Sequence, residues 1–478
     1  MTSNILMRLN VASAALSGFL LRIFFVLKFP VGTSGDAPFY IDLAWNWLKN
    51  HVYGLEVNGQ LTPVDVRAPG YPAFLAAIFA FAGNSSRVVM LVQAVVDLGT
   101  CFLIALIAAR LAPPKSRKRV AVAGLWLAAL CPFIANYSAV VLTEVLVTFL
   151  TTLAILLLFE TDFAQSKNMP AAAGAFWNQA LSPWFLAGIV VGFGTLVRPE
   201  TPLLLFAAAL LLLAKWWRPA NWSKLIRAGI LLSLGLLIPL LPWAARNWRT
   251  LHEVQFLASR YAELPDEFVP QGFNAWTNTW LWKYGDVYLT QWKLDSEEIP
   301  PDDIPASAFD SPEQRERVTD LLEQYNETTT MEPSLDAEFG QVARERSSEH
   351  PVRTYLKIPL LRSVALWFTP RVELLPYSGH LWPLREKWDS DPADFLVTLG
   401  FFLLNCVYIA LAIAGAWIAR KQPGIALLVA FILVRTVYIA RFVETPEPRY
   451  VLECYPAIIA LAAQAFRGRD QASPTGSG

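Results

Sequence analysis

Apolar residues in this chain come in long runs separated by short charged ones. Ten runs of about 15 to 25 residues match the ~30 Å hydrocarbon core that one helix must cross. They lie near 11–29, 87–109, 120–137, 140–159, 184–198, 200–214, 225–243, 394–419, 424–441 and 450–466. A shorter apolar stretch, 69–82, is read as a helix lying at the interface. So is 355–368, which carries Arg362 in its middle. The pattern predicts an all-α polytopic membrane protein of about ten spans.

Positive charge sets the orientation, because Lys and Arg favour cytoplasmic loops. Arg8 precedes the first run, KSRKR (115–119) follows the second, and Lys215, Arg218, Lys224 and Arg227 separate the sixth from the seventh. Arg420 and Lys421 follow the eighth, and Arg467 and Arg469 the tenth. With ten spans all five clusters fall on one side, which places both termini in the cytoplasm. Residues 1–243 then form an N-terminal transmembrane module whose first outer loop is 30–86. Residues 244–393 form a second extracytoplasmic segment between spans seven and eight, read as a mixed α/β domain. Residues 394–466 return to the membrane, and 467–478 form a polar tail expected to be disordered.

Composition agrees: 55% of residues are hydrophobic, 16% are charged, and mean hydropathy is +0.39. The formal net charge of zero points away from nucleic acid. Cys101, Cys131, Cys406 and Cys454 all lie in apolar runs without paired spacing, which argues against a disulfide framework or a thiolate zinc site. The first run has no small-residue cleavage site after it and is expected to stay as a helix. There is no P-loop, no GxGxxG and no serine elbow. The four histidines are scattered, and Asp389 with Asp391 lacks a nucleotide fold around it, so no metal ligand is assigned.

Ionisable residues at the mouth of a helical bundle are costly and call for a reason. Asp36 follows the first run and Arg67 comes about thirty residues later. Asp36 has a plain alternative as the N-cap of a helix that Pro38 helps to start. Glu144 lies at the outer end of the fourth run, where a function and an ion pair with an arginine of another span are equally good readings. Asp97 and Gln93 share a helix face and suit structural hydrogen bonding. Arg198, Arg246 and Arg449 join Arg67 at outer ends of runs. Each could anchor a helix end by snorkelling, but four guanidiniums gathered at one face suit a phosphate. Tyr40, Tyr71 and Tyr450 beside them are candidate substrate contacts.

These groups fit group transfer from a lipid-borne donor. Outside the cytoplasm there is no nucleotide sugar or ATP, so a transferase there needs a sugar already carried on a polyprenyl phosphate. A carboxylate takes the proton of the attacking hydroxyl. Cationic groups meet the charge growing on the departing phosphate. One-step displacement inverts the anomeric centre. A monophosphate leaving group leaves a divalent metal optional as cofactor.

Seven segments carry a resemblance: GDAPFYIDLAWNWL, VRAPGYPAFLAAIFAFAG, LTEVLVTFL, GIVVGFGTLVRPE, LPWAARNW, EHPVRTYL and PEPRYVLECYPAIIAL. In that order the chain resembles the GT-C membrane glycosyltransferases, in the bacterial branch similar to protein O-mannosyltransferases and lipid A aminoarabinose transferases. The resemblance implies a hexosyl- or pentosyltransferase of the cytoplasmic (inner) membrane, active on its periplasmic or extracellular side. Its donor would be a polyprenyl-phosphate sugar and its acceptor a lipid, glycan or protein. By the same resemblance Asp36 matches the catalytic base, Arg67 the donor-phosphate contact and Glu144 the second acid. Arg198, Arg246 and Arg449 match recurrent basic positions with a donor-phosphate or structural role. Ala37 stands where the protein mannosyltransferases carry Glu, and Val66 where the aminoarabinose branch carries an acid. The chain therefore departs from both, and its sugar and acceptor stay open. The rival reading is a transporter or flippase of a lipid-linked or polar solute, favoured by Arg22, Asp97 and Arg435 inside spans.

Overall fold

A computed structural model of the chain describes residues 2–31, 35–161, 182–258 and 267–468; the expected tail beyond 468 lies outside them. Helix α1 (Thr2–Lys28) leads to α2 (Ala37–Asn50), a hairpin of β1 (Gly54–Val57) and β2 (Gln60–Pro63), and α3 (Gly70–Ala82). Then come α4 (Ser86–Leu111), α5 (Arg117–Ala129), α6 (Pro132–Ala135), α7 (Glu144–Phe159), α8 (Pro183–Val197), α9 (Leu203–Trp216) and α10 (Trp222–Leu251). Helices α11 (Gln271–Thr277), α12 (Tyr284–Leu289), α13 (Pro312–Thr328), α14 (Pro333–Glu349) and α15 (Ile358–Trp367) follow. The chain closes through α16 (Leu384–Ser390), α17 (Pro392–Ala419), α18 (Pro423–Phe442) and α19 (Tyr455–Ala462).

Contacts divide the chain into two compact units. The first comprises 1–258, 371–432 and 452–478, and the second 259–370 with 433–451. Where the sequence reading drew one segment over 244–393, the second unit is shorter and takes in a returning piece of chain.

Among the described residues, five helices are long and apolar enough to cross a membrane: Ile5–Lys28, Ser86–Leu111, Pro219–Leu251, Pro392–Ala419 and Pro423–Phe442. A sixth span is possible by composition if Arg117–Ala129 and Pro132–Ala139, bent by 51°, count as one. Among the described residues four further apolar helices are shorter, so the expected runs form helices of unequal length. The fourth run shows why. Its first residues, 140–143, are irregular and follow a 3-10 turn at Asn136–Ala139, so the α-helix starts only at Glu144. Sixteen residues at 1.5 Å rise make about 24 Å. The last run likewise breaks into a 3-10 turn (Pro448–Cys454), α19, and another 3-10 turn (Ala463–Phe466).

In the first unit, α8 and α10 approach backbone to backbone. A Cβ on Gly188 would meet the Leu232 carbonyl oxygen at 2.5 Å, and one on Gly235 the Phe185 oxygen at 2.4 Å. Small residues at such crossings let dispersion contacts hold helices together where lipid gives no hydrophobic drive. The hairpin turns on Asn58 (φ 52°) and Gly59 (φ 76°), the left-handed pair that a two-residue connection requires. An apolar core joins Phe25, Ile41, Tyr71, Leu75, Phe79 and Met90 from four helices.

The second unit is helical, which corrects the mixed α/β expectation: β1 and β2, both in the first unit, form the one sheet found among the described residues. Aromatics of this segment fill a helical core. Phe273, Trp276, Trp280, Tyr325 and Phe339 pack there with Val318, Leu321 and Leu322. The carboxylate of Asp336 accepts the backbone N–H groups of Gly272 and Phe273 at 2.9 and 2.8 Å, holding the start of α11. Arg362 is buried in α15, yet its guanidinium donates to Leu281 O, Val443 O and Asn278 Oδ1. Burial holds its pKa down at about 10.

Candidate functional site

Asp36 stands at the N-cap position of α2, with Pro38 in the first turn, but its side chain makes no capping bond. Instead Arg67, in the turn between β2 and α3, donates from Nη2 to Asp36 Oδ1 at 2.8 Å. The two side chains are 31% and 21% exposed, so the pair is half-buried. Arg67 also donates from Nη1 to Val66 O at 3.0 Å, while the Tyr53 hydroxyl donates to Arg67 O at 2.7 Å. Its guanidinium lies 5.7 Å from the Phe39 ring and 5.9 Å from the Tyr40 ring. Burial works against the charge of Arg67, but Tyr40 and Asp36 hold its pKa above the ordinary value.

Tyr40 packs edge-on against Tyr71 with ring centroids 5.2 Å apart. The Tyr71 hydroxyl donates to Gln93 Oε1 at 2.6 Å, and Gln93 Nε2 passes on to Val140 O at 2.7 Å. Burial pushes the Tyr40 hydroxyl up to about 12, with Asp36 and Glu144 adding to the shift and Arg67 and Arg198 opposing it. Tyr40 thus feels two acid–base pairs at once.

The second pair is buried. Arg198 closes α8, its N–H bonded to Gly194 O at 2.7 Å, and Nη1 stands 3.5 Å from Glu144 Oε1. Glu144, 1% exposed, opens α7. Arg198 Nη1 is also 4.0 Å from Glu453 Oε1. Thr151 Oγ1 donates to the other Glu453 oxygen at 3.2 Å. The sequence reading missed Glu453, although a carboxylate between Leu452 and Cys454 in an apolar run was signal enough.

Arg246 is occupied elsewhere. It donates to Tyr53 O at 2.6 Å, Val64 O at 2.9 Å and Asn247 Oδ1 at 2.9 Å. It also lies over the Tyr53 and Trp243 rings, 5.4 and 5.1 Å away. It therefore fastens both ends of the hairpin to α10. Beside it is a cavity of about 530 Å³, mainly apolar, bounded by Trp47, Phe193, Leu196, Pro239, Pro242 and Trp243. Arg449 and Tyr450 belong to the second unit. There Arg449 pairs with Glu447 at 2.6 Å, and the Tyr450 hydroxyl donates to Glu447 at 3.0 Å.

The remaining signals resolve into local structure. Asp391 caps α17 through the N–H groups of Ala393 and Asp394. Trp276 and Trp280 are core, whereas Tyr288 and Trp292 are exposed. Arg22 donates to Asp97 Oδ2 at 2.7 Å and to Gly18 O and Ala129 O. Among the described residues, Asp310, Glu349 and His350 in the second unit have metal-ligand spacing. Asp310 already accepts from Arg353 and pairs with Arg346 at 3.1 Å.

Residues 66–243 match the family model described as dolichyl-phosphate-mannose-protein mannosyltransferase. No curated protein matches the chain in sequence. Among solved structures, the archaeal oligosaccharyltransferase AglB of Archaeoglobus fulgidus, in complex with an inhibitory peptide and a dolichol-phosphate, superposes with a TM-score of 0.50. The match has 15% identity and covers 97% of this chain and 50% of that one. The same enzyme tethered with an acceptor peptide containing the NVT sequon gives 0.50 at 13% identity, over 96% and 49%. ArnT from Cupriavidus metallidurans in the apo state gives 0.40 at 12% identity, over 98% and 78%. The chain thus spans about half the length of the archaeal enzyme, and the likeness is one of fold. The architecture is of the GT-C type that the sequence motifs imply.

Proposed function

We propose that this protein is an integral-membrane glycosyltransferase that moves a hexosyl or pentosyl group from a polyprenyl-phosphate donor to an acceptor hydroxyl or amide on the extracytoplasmic face. The observation that carries the reading is the Asp36–Arg67 pair: a carboxylate that makes no capping bond and is set 2.8 Å from a guanidinium at the start of the module. In the reaction the acceptor heteroatom attacks the anomeric carbon and its proton passes to Asp36. The bond from that carbon to the phosphate oxygen breaks, and the electron pair leaves with the phosphate. Arg67 meets the developing charge, with Arg198 as the second cation near Tyr40. Attack opposite the leaving group inverts the sugar centre.

The family matched over 66–243 is described by a dolichyl-phosphate donor, and one fold relative was solved with dolichol-phosphate. Both support a lipid-borne donor here. The apolar cavity beside the hairpin offers a wall for the isoprenoid. Arg246 enters the proposal as a positioning residue for that wall, Glu144 as the second acid, and Tyr40 and Tyr71 as substrate contacts. Arg449 and Tyr450 are not needed for it. Two guanidiniums supply the positive charge, so the chemistry does not require a divalent metal. The test is a transfer assay with radiolabelled polyprenyl-phosphate sugars and a membrane extract as acceptor, run on wild type and Asp36→Asn. Label moved by wild type alone supports the reading. No transfer from any donor by well-folded wild type overturns it.

A further inference from the structure

Between the bend after α5 and the start of α7, the chain runs as a 3-10 turn over Asn136–Ala139 and then irregularly to Thr143. Non-helical backbone at membrane depth is tolerated where it is buried in protein or lines a polar cavity. The side chains here favour the second case. Asn136, Ser138, Glu144 and Thr148 are each at most 2% exposed. Yet Asn136 Nδ2 and Oδ1, Ser138 Oγ, both Glu144 oxygens and Thr148 Oγ1 have no hydrogen-bond partner among the described residues. Their neighbours do: Thr151 donates to Glu453, Thr152 to Thr148 O, and Tyr137 to Glu373. Arg198 stands off from Glu144 at 3.5 Å, farther than the ~2.8 Å of a close charged hydrogen bond.

A buried polar atom without a partner costs about 1–3 kcal/mol, so this many within thirteen residues of sequence call for a ligand or trapped water. The unmet groups are mixed. An amide N–H needs an acceptor, the carboxylate oxygens need donors, and the two hydroxyls can do either. A phosphate only accepts and would face Glu144 with like charge. An isoprenoid would satisfy none of them. A sugar hydroxyl both donates and accepts, and a ring carries several.

We propose that Asn136, Ser138 and Thr148, together with Glu144, form the recognition site for the hydroxyls of a neutral sugar ring. The inference rests on the proposed transfer and deepens it by separating headgroup from sugar: Arg67 takes the phosphate, and this turn reads the ring. Tyr40 is acted on by Asp36 and Arg67 as well as by Arg198 and Glu144.

Two measurements on purified full-length protein test this. Thermal stabilisation by undecaprenyl phosphate is compared with that by undecaprenyl phosphate bearing mannose, glucose, galactose or arabinose. Then Thr148→Val, Asn136→Leu and the milder Ser138→Ala are measured with the same lipids. The wild type is expected to bind at least one sugar-bearing lipid more tightly than the bare phosphate. Each variant is expected to lose about three- to tenfold of that extra affinity. It should keep the bare lipid within about twofold and melt no lower than wild type, since it deletes groups that have no protein partner. A wild type that binds bare and sugar-bearing lipids alike overturns the sugar site and leaves the phosphate reading standing. Variants that keep the full sugar preference overturn it as well. Binding of neither lipid brings down the transfer reading, and this site with it.

Discussion

Gly70 lies so close to Leu196 that a Cβ added at position 70 would sit 2.6 Å from the Leu196 carbonyl carbon and oxygen. The contact ties the start of α3, three residues after Arg67, to the last turn of α8, two residues before Arg198. Gly70→Ala must push these segments apart. Overpacking of this kind costs about 1–3 kcal/mol. The variant should show a lower melting temperature and a transfer rate reduced together with it, and an unchanged melting curve would show that the contact gives way freely.

Asp36→Asn keeps the side-chain shape and removes the base. A loss of about 10²–10⁴-fold in transfer is expected. Because the ion pair is partly exposed, folding stability should change by less than about 1 kcal/mol. Near-normal turnover with intact folding would remove Asp36 from the mechanism.

Arg246 separates a structural reading from the donor-phosphate role that the sequence suggested. Arg246→Ala takes the guanidinium donor from Val64 O and leaves Tyr53 O with only the Val64 N–H, at about 1–3 kcal/mol. The expected signature is a lower melting temperature and faster proteolysis within 51–66. Weakened donor binding in a protein that melts normally would return Arg246 to the phosphate.

Arg198 faces two carboxylates, so removing one leaves the other in place. Glu144→Gln and Glu453→Gln should each cost less than the ~3–5 kcal/mol of breaking a buried pair. The double variant should cost more than the sum of the two. Only Glu144→Gln is expected to lower turnover strongly. Strict additivity in melting temperature would show that the two acids act on Arg198 independently.

Tyr40 gives a pH prediction. Its hydroxyl is pushed up to about 12 by burial and the Asp36 carboxylate, against about 10 in an unfolded chain. A group whose folded pKa is raised contributes fully below the unfolded value. That contribution is lost as pH rises from about 10 to about 12. Stability and donor binding in wild type should therefore carry an alkaline limb in that window, and Tyr40→Phe should remove it. A limb beginning near pH 8 in wild type would assign the titration to another group.

Much of the candidate site was legible because it is local in motif and costly in placement. Asp36 and Arg67 stand out as charges beside apolar runs, and the structure sets them in one hydrogen bond. The reading of Glu144 as the partner of an arginine from another helix also has its counterpart, in Arg198. What escaped is what periodicity does not encode. Asn58–Gly59 signals a two-residue hairpin, but the flanking strands are only four residues long and carry little alternation. Without that hairpin, Arg246 looks like one more cation at a helix end. Glu453 was hidden in an apolar run whose helical character fails at a 3-10 turn. Irregular backbone at 140–143, after the 3-10 turn at 136–139, likewise shortened the fourth run. In the second unit, Trp276 and Trp280 lie at helical spacing, four residues apart, and are core. Only packing tells such an aromatic from the exposed Tyr288 and Trp292.

The buried Arg22–Asp97 bond has a consequence for how the chain is made. Arg22 belongs to α1 and Asp97 to α4, seventy-five residues later. A lone charge at the centre of a membrane helix costs about 2.5–3.5 kcal/mol on insertion scales. Asp97, near the middle of α4, would carry that cost alone, and Arg22 of α1 meets it. The bond offsets that cost, so α1 and α4 sit in lipid more favourably together than either would alone.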